Sequence, residues 1–254
     1  MKKALIWFLR FMVSNQFIFL KLKDTVFSNP AEHLFRITDY AKGNLKTKLN
    51  LPILDIGAAD GATASYFSKN FNKATVIAFE PIEKMYKIAV DTNAKNANVT
   101  IRNLALSDSI GKKEIHITTN YLSSSLNSIN DAQVNLQPET QKEKFRVIEK
   151  QIVATSTLDL ETIQLQEILL IKIDTQGSEL IILENGIETL KKTHLILIEM
   201  NNHDIYQKGS RYFEVDQFLR ENNFKLIDLI ITYRPNGRVA EYDSIYERIQ
   251  QNDS

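Results

Sequence analysis

Along most of the chain, apolar runs of strand length alternate with longer helix-like segments. Strands are expected at Ile53 to Gly57, Thr75 to Phe79, Val99 to Leu104, Ile168 to Asp174 and Leu195 to Met200, with helices starting near Gly61, Ile82, Ser178 and Val215. Such alternation marks βαβ units on a parallel sheet, and runs this continuously apolar predict strands covered on both faces. Lys225 to Thr232 and Glu241 to Ile249 flank the turn signal Arg234-Pro235-Asn236-Gly237 and predict a closing antiparallel pair. Between Ser107 and Thr157 the alternation lapses. There KKEIHIT predicts a hairpin, and SSSLNSINDAQVNLQPETQKE is too polar for core and predicts a surface loop or lid. The chain thus divides into an N-terminal helical segment, residues 1–49, and an α/β domain, residues 50–254, with a loop or hairpin insertion at about 109–152.

The N-terminal segment has its own pattern. Residues 4–20 are apolar at 13 of 17 positions, and Lys3, Arg10, Ser14 and Lys21 fall near one line of a helix at ~100° per residue. Three readings stand: a first helix packed on the domain, an amphipathic helix lying in a membrane surface, or a signal anchor. The run is marginal for ~30 Å of hydrocarbon, and no small-residue cleavage site follows it.

Composition narrows the classes. A chain of 254 residues, 43% hydrophobic and 24% charged, is neither disordered, collagen-like nor a polytopic membrane protein. The absence of cysteine excludes disulfides, thiolate metal sites and cysteine nucleophiles. The 31 basic and 31 acidic residues cancel, but residues 1–50 carry 9 and 3, whereas residues 51–254 carry 22 and 28. The N-terminal basic residues are interleaved with apolar ones, which points away from nucleic acid and toward an anionic membrane surface, at ~1 kcal/mol for each basic residue near it. Peripheral membrane contact through residues 1–23 and a cytoplasmic location at the inner membrane face are the expectations.

The sharpest local signal is ILDIGAADGATASYF, an apolar strand ending near Asp55, followed by a loop of Gly57, Ala58 and Asp60 and by Gly61 opening a helix. Glycine there allows a sharp turn and close approach of a ligand, and the strand-loop-helix context suits an adenosine-type ligand. A dinucleotide fingerprint would need glycine where Ala59 and Ala62 stand. The next strand ends in Phe79-Glu80-Pro81, which places a carboxylate to accept from ribose hydroxyls. Asp55 is read either as a partner for a ligand ammonium or as a pin for the loop. Asn103 and Ala105 put small and polar groups where an adenine could be held.

With DIGAADG, AFEP, NLALSD, the TLD at Thr157 to Asp159, LIKIDTQGSELIILENG, LILIEMN and EYDSIYE, the chain resembles the FkbM family of S-adenosylmethionine-dependent methyltransferases over roughly Leu51 to Arg248. The resemblance implies a Rossmann-like class I methyltransferase fold. Its mostly parallel seven-stranded sheet would have the order 3-2-1-4-5-7-6 with strand 7 antiparallel and helices on both faces. S-adenosyl-L-methionine would be the cofactor, and family acceptors are mainly oxygen atoms of sugars or natural products.

Ligands of such sheets lie beyond the carboxyl ends of the strands. Asp174 is therefore the leading catalytic base or acceptor-orienting group, with Lys172 two residues earlier on the same face as its first candidate partner. Glu199 and Asn201 end the next strand and are assigned to acceptor binding; His203 just beyond is a candidate base, since histidine ordinarily titrates near neutrality. Ser178 would cap the following helix, with Glu179 in its first turn or facing the acceptor. His194 precedes its strand and belongs at the opposite edge. No metal ligand set is assigned, because nothing in the sequence fixes a geometry for one. Two other functions compete: a nicotinamide-dependent oxidoreductase, disfavoured by Ala59 and by the spacing of Tyr206 and Lys208, and a non-catalytic cofactor-binding module. The expected acceptor is a small molecule or a glycan, lipid-linked ones included, and not nucleic acid.

Overall fold

The structure, a computed structural model, describes residues 31–234 and 237–249. The apolar run at residues 4–20, with its membrane readings, lies outside them. Among the described residues no helix is long and apolar enough to cross a membrane.

The elements in chain order are α1 (Glu32–Asn44), β1 (Ile53–Ile56), α2 (Ala62–Asn70), β2 (Val76–Phe79), α3 (Glu83–Thr92), β3 (Val99–Arg102), β4 (Ala105–Leu106), β5 (Gly111–Thr118), β6 (Val147–Ser156), β7 (Ile168–Ile173), α4 (Glu179–Glu184), β8 (Thr193–Asn201), α5 (Tyr212–Glu221), β9 (Phe224–Tyr233) and β10 (Glu241–Arg248), with short helical turns between. Seven strands form one sheet in the order β3-β2-β1-β7-β8-β10-β9. Every adjacent pair is parallel except those that β10 makes with β8 and β9. This is the strand order that the resemblance implied, with its one reversed strand.

The central strands are covered on both faces because period-two alternation sends apolar neighbours to opposite layers. Along β8, Leu195 and Leu197 join the layer that holds Leu34 and Ile37 of α1 and Phe67 of α2; Ile196 and Ile198 join Val215 and Leu219 of α5. In α1 the buried residues Leu34, Ile37, Thr38 and Ala41 recur at helical spacing, so one stripe of an otherwise polar helix faces the sheet.

Three sequence expectations need correction. The strand at Val99 is not buried on both faces: it is the outermost of the sheet, and its residues alternate between half-buried and exposed. It stops at Arg102, and Ala105–Leu106 turns away into a second sheet of order β4-β6-β5. KKEIHIT folds back on its neighbours only at one antiparallel bridge, His116 with Ser125; its ladder is made with β6 across the whole polar stretch, with Ile115 opposite Gln151. The polar stretch is also not all surface, since Ser123, Ser124 and Ser125 are buried. Their hydrogen bonds are closed inside the protein: Ser124 Oγ accepts from the Thr118 N–H (3.1 Å), and Ser125 Oγ donates to the Gln176 carbonyl (2.7 Å). Satisfied polar groups can be buried, and composition does not report satisfaction.

Candidate active site

The loop after β1 touches the end of β7 backbone to backbone. Gly57 has φ +81°, and a Cβ built on it would lie 1.9 Å from the Asp174 carbonyl oxygen, so no side chain fits. Ala59 adopts φ +49°, the left-handed conformation that a glycine in that position would take freely. Two of the residues assigned to the cofactor support this loop rather than line a cavity. Ala58 is buried in the core, and Asp60 accepts a hydrogen bond from the Ala62 N–H (3.0 Å) at the start of α2. Gly61 admits α3, because a Cβ there would sit 2.9 Å from the Ala89 Cα.

Glu80 is buried at the end of β2 and reaches the cavity beyond the glycine loop. Its two oxygens accept from the N–H groups of Ala59 (2.9 Å) and Ile82 (2.8 Å). A carboxylate has about four acceptor positions, so each oxygen keeps one for a ligand hydroxyl. Burial raises this carboxyl to about 7, against the lowering effect of those two hydrogen bonds. Pro81 and Ala105 line the same cavity. Asn103 donates to the carbonyls of Glu80 (2.9 Å) and Pro81 (3.0 Å), so it fixes the segment that presents Glu80.

The cavity has a volume of about 420 Å³, within the range of small-molecule sites. Phe79, Ile82, Leu104 and Leu106 give it an apolar end; Tyr121, Phe145 and the buried serines of the insertion line it as well. Its other end is acidic. Gln176 Nε2 donates both to Asp174 Oδ1 (2.9 Å) and to Glu199 Oε2 (2.6 Å), and its Oε1 accepts from the Tyr206 hydroxyl (2.5 Å). Gln176 itself holds a left-handed backbone, φ +57°.

Beneath this end lies Lys172, buried. Its Nζ donates to the Gly57 carbonyl (3.0 Å) and stands 3.4 Å from Asp174 Oδ2 and 3.6 Å from Asp55 Oδ1. The pairing with Asp174 expected from sequence is present, and Asp55 joins it. Asp55 has no exposed surface and does not reach the cavity; its oxygens accept no hydrogen bond from the loop, and it meets the loop only through Lys172, which donates to the Gly57 carbonyl. Burial lifts it to about 6 despite the attraction of Lys172. Burial alone would depress Lys172; the carboxylates of Asp174, Asp55, Glu199 and Asp243 outweigh it and hold the ammonium charged. The sheet register sets Asp243 of β10 opposite Glu199, and His33 of α1 caps Asp243 at 3.1 Å. Asp243 is raised to about 7, first by burial and then by Asp174; Glu199 is pushed well above its ordinary range by burial, then by Asp174, Glu241 and Asp243.

Other sequence assignments move. Glu179 does not face an acceptor: it is 1% exposed, and its carboxylate accepts from the N–H groups of Thr175 (2.9 Å) and Gly177 (3.0 Å) and from the Thr175 hydroxyl (3.0 Å). Ser178 stands at the start of α4 but makes no capping bond. His203 does not line the cavity; its Nε2 lies 3.1 Å from Glu241 Oε1, behind that carboxylate. Asn201 is buried and reaches the site only through Glu199, at 3.4 Å. His194 pairs with Glu167 at the far edge of the sheet, as expected. Thr157 and Asp159 make turn contacts to Leu160 and Thr189. Among the described residues no group of three or more His, Asp or Glu is arranged to hold a metal ion. Gln176, Tyr206, Glu241 and the insertion's Tyr121 and Phe145 were not singled out as site residues from sequence. Gln176 had the best signal, inside IKIDTQGSE, and Glu241 opens EYDSIYE; Tyr206, Tyr121 and Phe145 carry none apart from the fold.

These residues suit S-adenosylmethionine. A glycine loop with no room for a Cβ, a carboxylate with free acceptor positions and an apolar end fit an adenosine, and the carboxylates at the other end fit a ligand carrying an ammonium and a sulfonium. Glu80→Ala is expected to weaken S-adenosylmethionine binding by at least ~1 kcal/mol in calorimetric titration. Unchanged affinity would take Glu80 out of the site.

No curated protein matches the chain. Among solved structures, Streptococcus pneumoniae Sp1610 in complex with S-adenosyl-L-methionine is similar at 16% identity, covering 80% of this chain and 68% of that one, with a TM-score of 0.44. A protein of the NADB-Rossmann superfamily from Streptococcus agalactiae is similar at 14% identity, with coverages of 88% and 70% and a TM-score of 0.45. The Methanococcus jannaschii fibrillarin pre-rRNA processing protein is similar at 14%, with coverages of 78% and 66% and a TM-score of 0.44. The model of the methyltransferase FkbM domain matches residues 55–226, more than half of the chain. The chain therefore belongs to the FkbM family of methyltransferases, and S-adenosylmethionine is its methyl donor.

Proposed function

We propose that this methyltransferase transfers the methyl group to a hydroxyl of a sugar, a glycan or a related natural product. The observation that carries the reading is the pair of carboxylates, Asp174 and Glu199, bridged by Gln176 at the carboxyl ends of adjacent strands and opening on the same cavity as Glu80. Carboxylates accept hydrogen bonds from hydroxyls, and a positioned one takes the proton as the oxygen attacks. The bound cofactor supplies a methyl group on a sulfonium, and the chain's part is to orient the acceptor and exclude water. The insertion, whose Tyr121, Phe145 and buried serines line the cavity, serves the second task. Asp174, Glu199 and Glu241 together repel phosphate and carboxylate groups close to the reacting hydroxyl, which favours neutral or cationic acceptors and disfavours a phosphodiester chain.

The test joins cofactor and acceptor. Calorimetric titration with S-adenosylmethionine, S-adenosylhomocysteine and NAD is expected to give binding of the first two and none of NAD. In a panel of free hexoses, amino sugars and sugar phosphates followed by S-adenosylhomocysteine release, turnover is expected with neutral or amino sugars and not with analogues phosphorylated beside the reacting hydroxyl. Tighter binding of NAD, or a preference for the phosphorylated analogues, would sink the reading.

A further inference from the structure

The two carboxylates of the site are not equivalent, and the difference lies in which oxygens are already engaged. Asp174 has both engaged: Oδ1 accepts from Gln176 and Oδ2 lies 3.4 Å from the Lys172 ammonium, which leaves one position on each oxygen to hold an acceptor hydroxyl. Glu199 receives both of its donors, Gln176 and Asn201, on the same oxygen, Oε2. Its Oε1 has no protein donor among the described residues. The amide that creates this asymmetry is itself fixed on three sides: the Tyr206 hydroxyl on its Oε1, the Ser125 hydroxyl of the insertion on the Gln176 carbonyl, and a left-handed backbone that a free loop would relax.

We propose that Gln176 is a positioning residue that locks Asp174 and Glu199 together, leaving Glu199 Oε1 as the base that receives the acceptor's proton and Asp174 as the group that orients the acceptor. The inference rests on the methyl-transfer reading above. In the step, the acceptor oxygen forms its bond to the methyl carbon while the sulfur–carbon bond breaks and its electron pair stays on sulfur. The hydroxyl proton goes to Glu199, so that neutral ether, neutral thioether and protonated carboxyl result. The charged groups facing Glu199 are Asp174 and Lys172 from β7, Glu241 and Asp243 from β10, and Glu179 from α4, with the Tyr206 hydroxyl nearby. Against so many carboxylates, the hydrogen bond from Gln176 favours the ionised form of Glu199.

Carboxyl carbon NMR of ¹³C-labelled protein tests this without an acceptor, with the Glu199 resonance assigned by its loss in Glu199→Gln. The midpoint of Glu199 is expected to move to higher pH in Gln176→Met, and by less in Tyr206→Phe, which frees the amide but leaves it in place. With whichever sugar turns over in the panel, the acid limb of kcat/KM is expected to move in the same direction, and Glu199→Gln to lose ~100-fold or more in kcat. A Glu199 midpoint unmoved in both variants would overturn the positioning role of Gln176, and full turnover in Glu199→Gln the assignment of the base. Failure of wild type to bind S-adenosylhomocysteine would instead overturn the methyl-transfer reading.

Discussion

Gly57→Ala is expected to abolish S-adenosylmethionine binding and to destabilise the protein by about 3 kcal/mol or more, a loss read from the urea midpoint and from calorimetric titration. Two effects add. At φ +81° an L side chain costs ~1–2 kcal/mol, and the added Cβ would stand 1.9 Å from the Asp174 carbonyl oxygen, an overlap that only separation of β1 from β7 relieves. Those two strands are neighbours at the centre of the sheet, paired from Ile53 with Leu170 to Ile56 with Ile173, so the distortion reaches both halves of the site at once. Gly43→Ala is the control. That glycine lies in α1 with nothing within 4 Å of its missing Cβ, and the change is expected to be neutral or stabilising by up to ~1 kcal/mol. Equal loss in both variants would show that the contact with β7 is not the cause.

Lys172→Met is the second large effect. It leaves Asp55 and Asp243 buried and Asp174 beside them without the cation they share, and strips a donor from the Gly57 carbonyl. Removing one partner of a buried charge group costs ~3–5 kcal/mol where the remaining charges cannot neutralise themselves. Here they can, and the direction follows from protonation. Burial raises Asp55 to about 6 and both Asp243 and Glu80 to about 7, so the folded state holds these protons more tightly than the unfolded chain does. The stability they contribute is fully present below about pH 4, the ordinary carboxylate range, and is lost as pH rises through 6 to 7. Without Lys172 the carboxyls near it rise further and the loss deepens above neutrality. The variant is therefore expected to be about 3 kcal/mol less stable than wild type at pH 8 and to lose less than half of that at pH 5, by urea unfolding at each pH. An equal deficit at both would mean that Lys172 acts by packing alone.

Much of the frame was legible in the residues. The strands of the large sheet were located to within two residues; for the central parallel strands the reason is that a strand with helices on both faces has to be apolar nearly throughout, and that requirement is local. The glycine loop and the carboxylate after β2 were legible for a similar reason: a left-handed turn and a strand-end acid leave a fixed spacing. Acidic residues at strand ends were visible too, but their partners were not. Glu179, at the start of a helix, and Glu199, at a strand end, were both candidates to face the acceptor, yet one turns inward onto the N–H groups of Thr175 and Gly177 while the other opens on the cavity. His203 was a plausible base until the return of β10 set Glu241 beside it.

By itself, then, the sequence determined the parallel sheet, its closing antiparallel pair, the family and the glycine loop after the first strand, since each follows from short-range spacing of apolar, glycine and acidic positions. Only the tertiary structure decided that a serine-rich stretch is buried and lines the cavity, that Lys172 serves Asp55 and Asp174 together, and that Gln176 ties Asp174 to Glu199. The physical reason is that these roles depend on which polar groups meet across distant segments in a space without water. A residue's type shows what it can donate or accept, and the fold alone sets the partner.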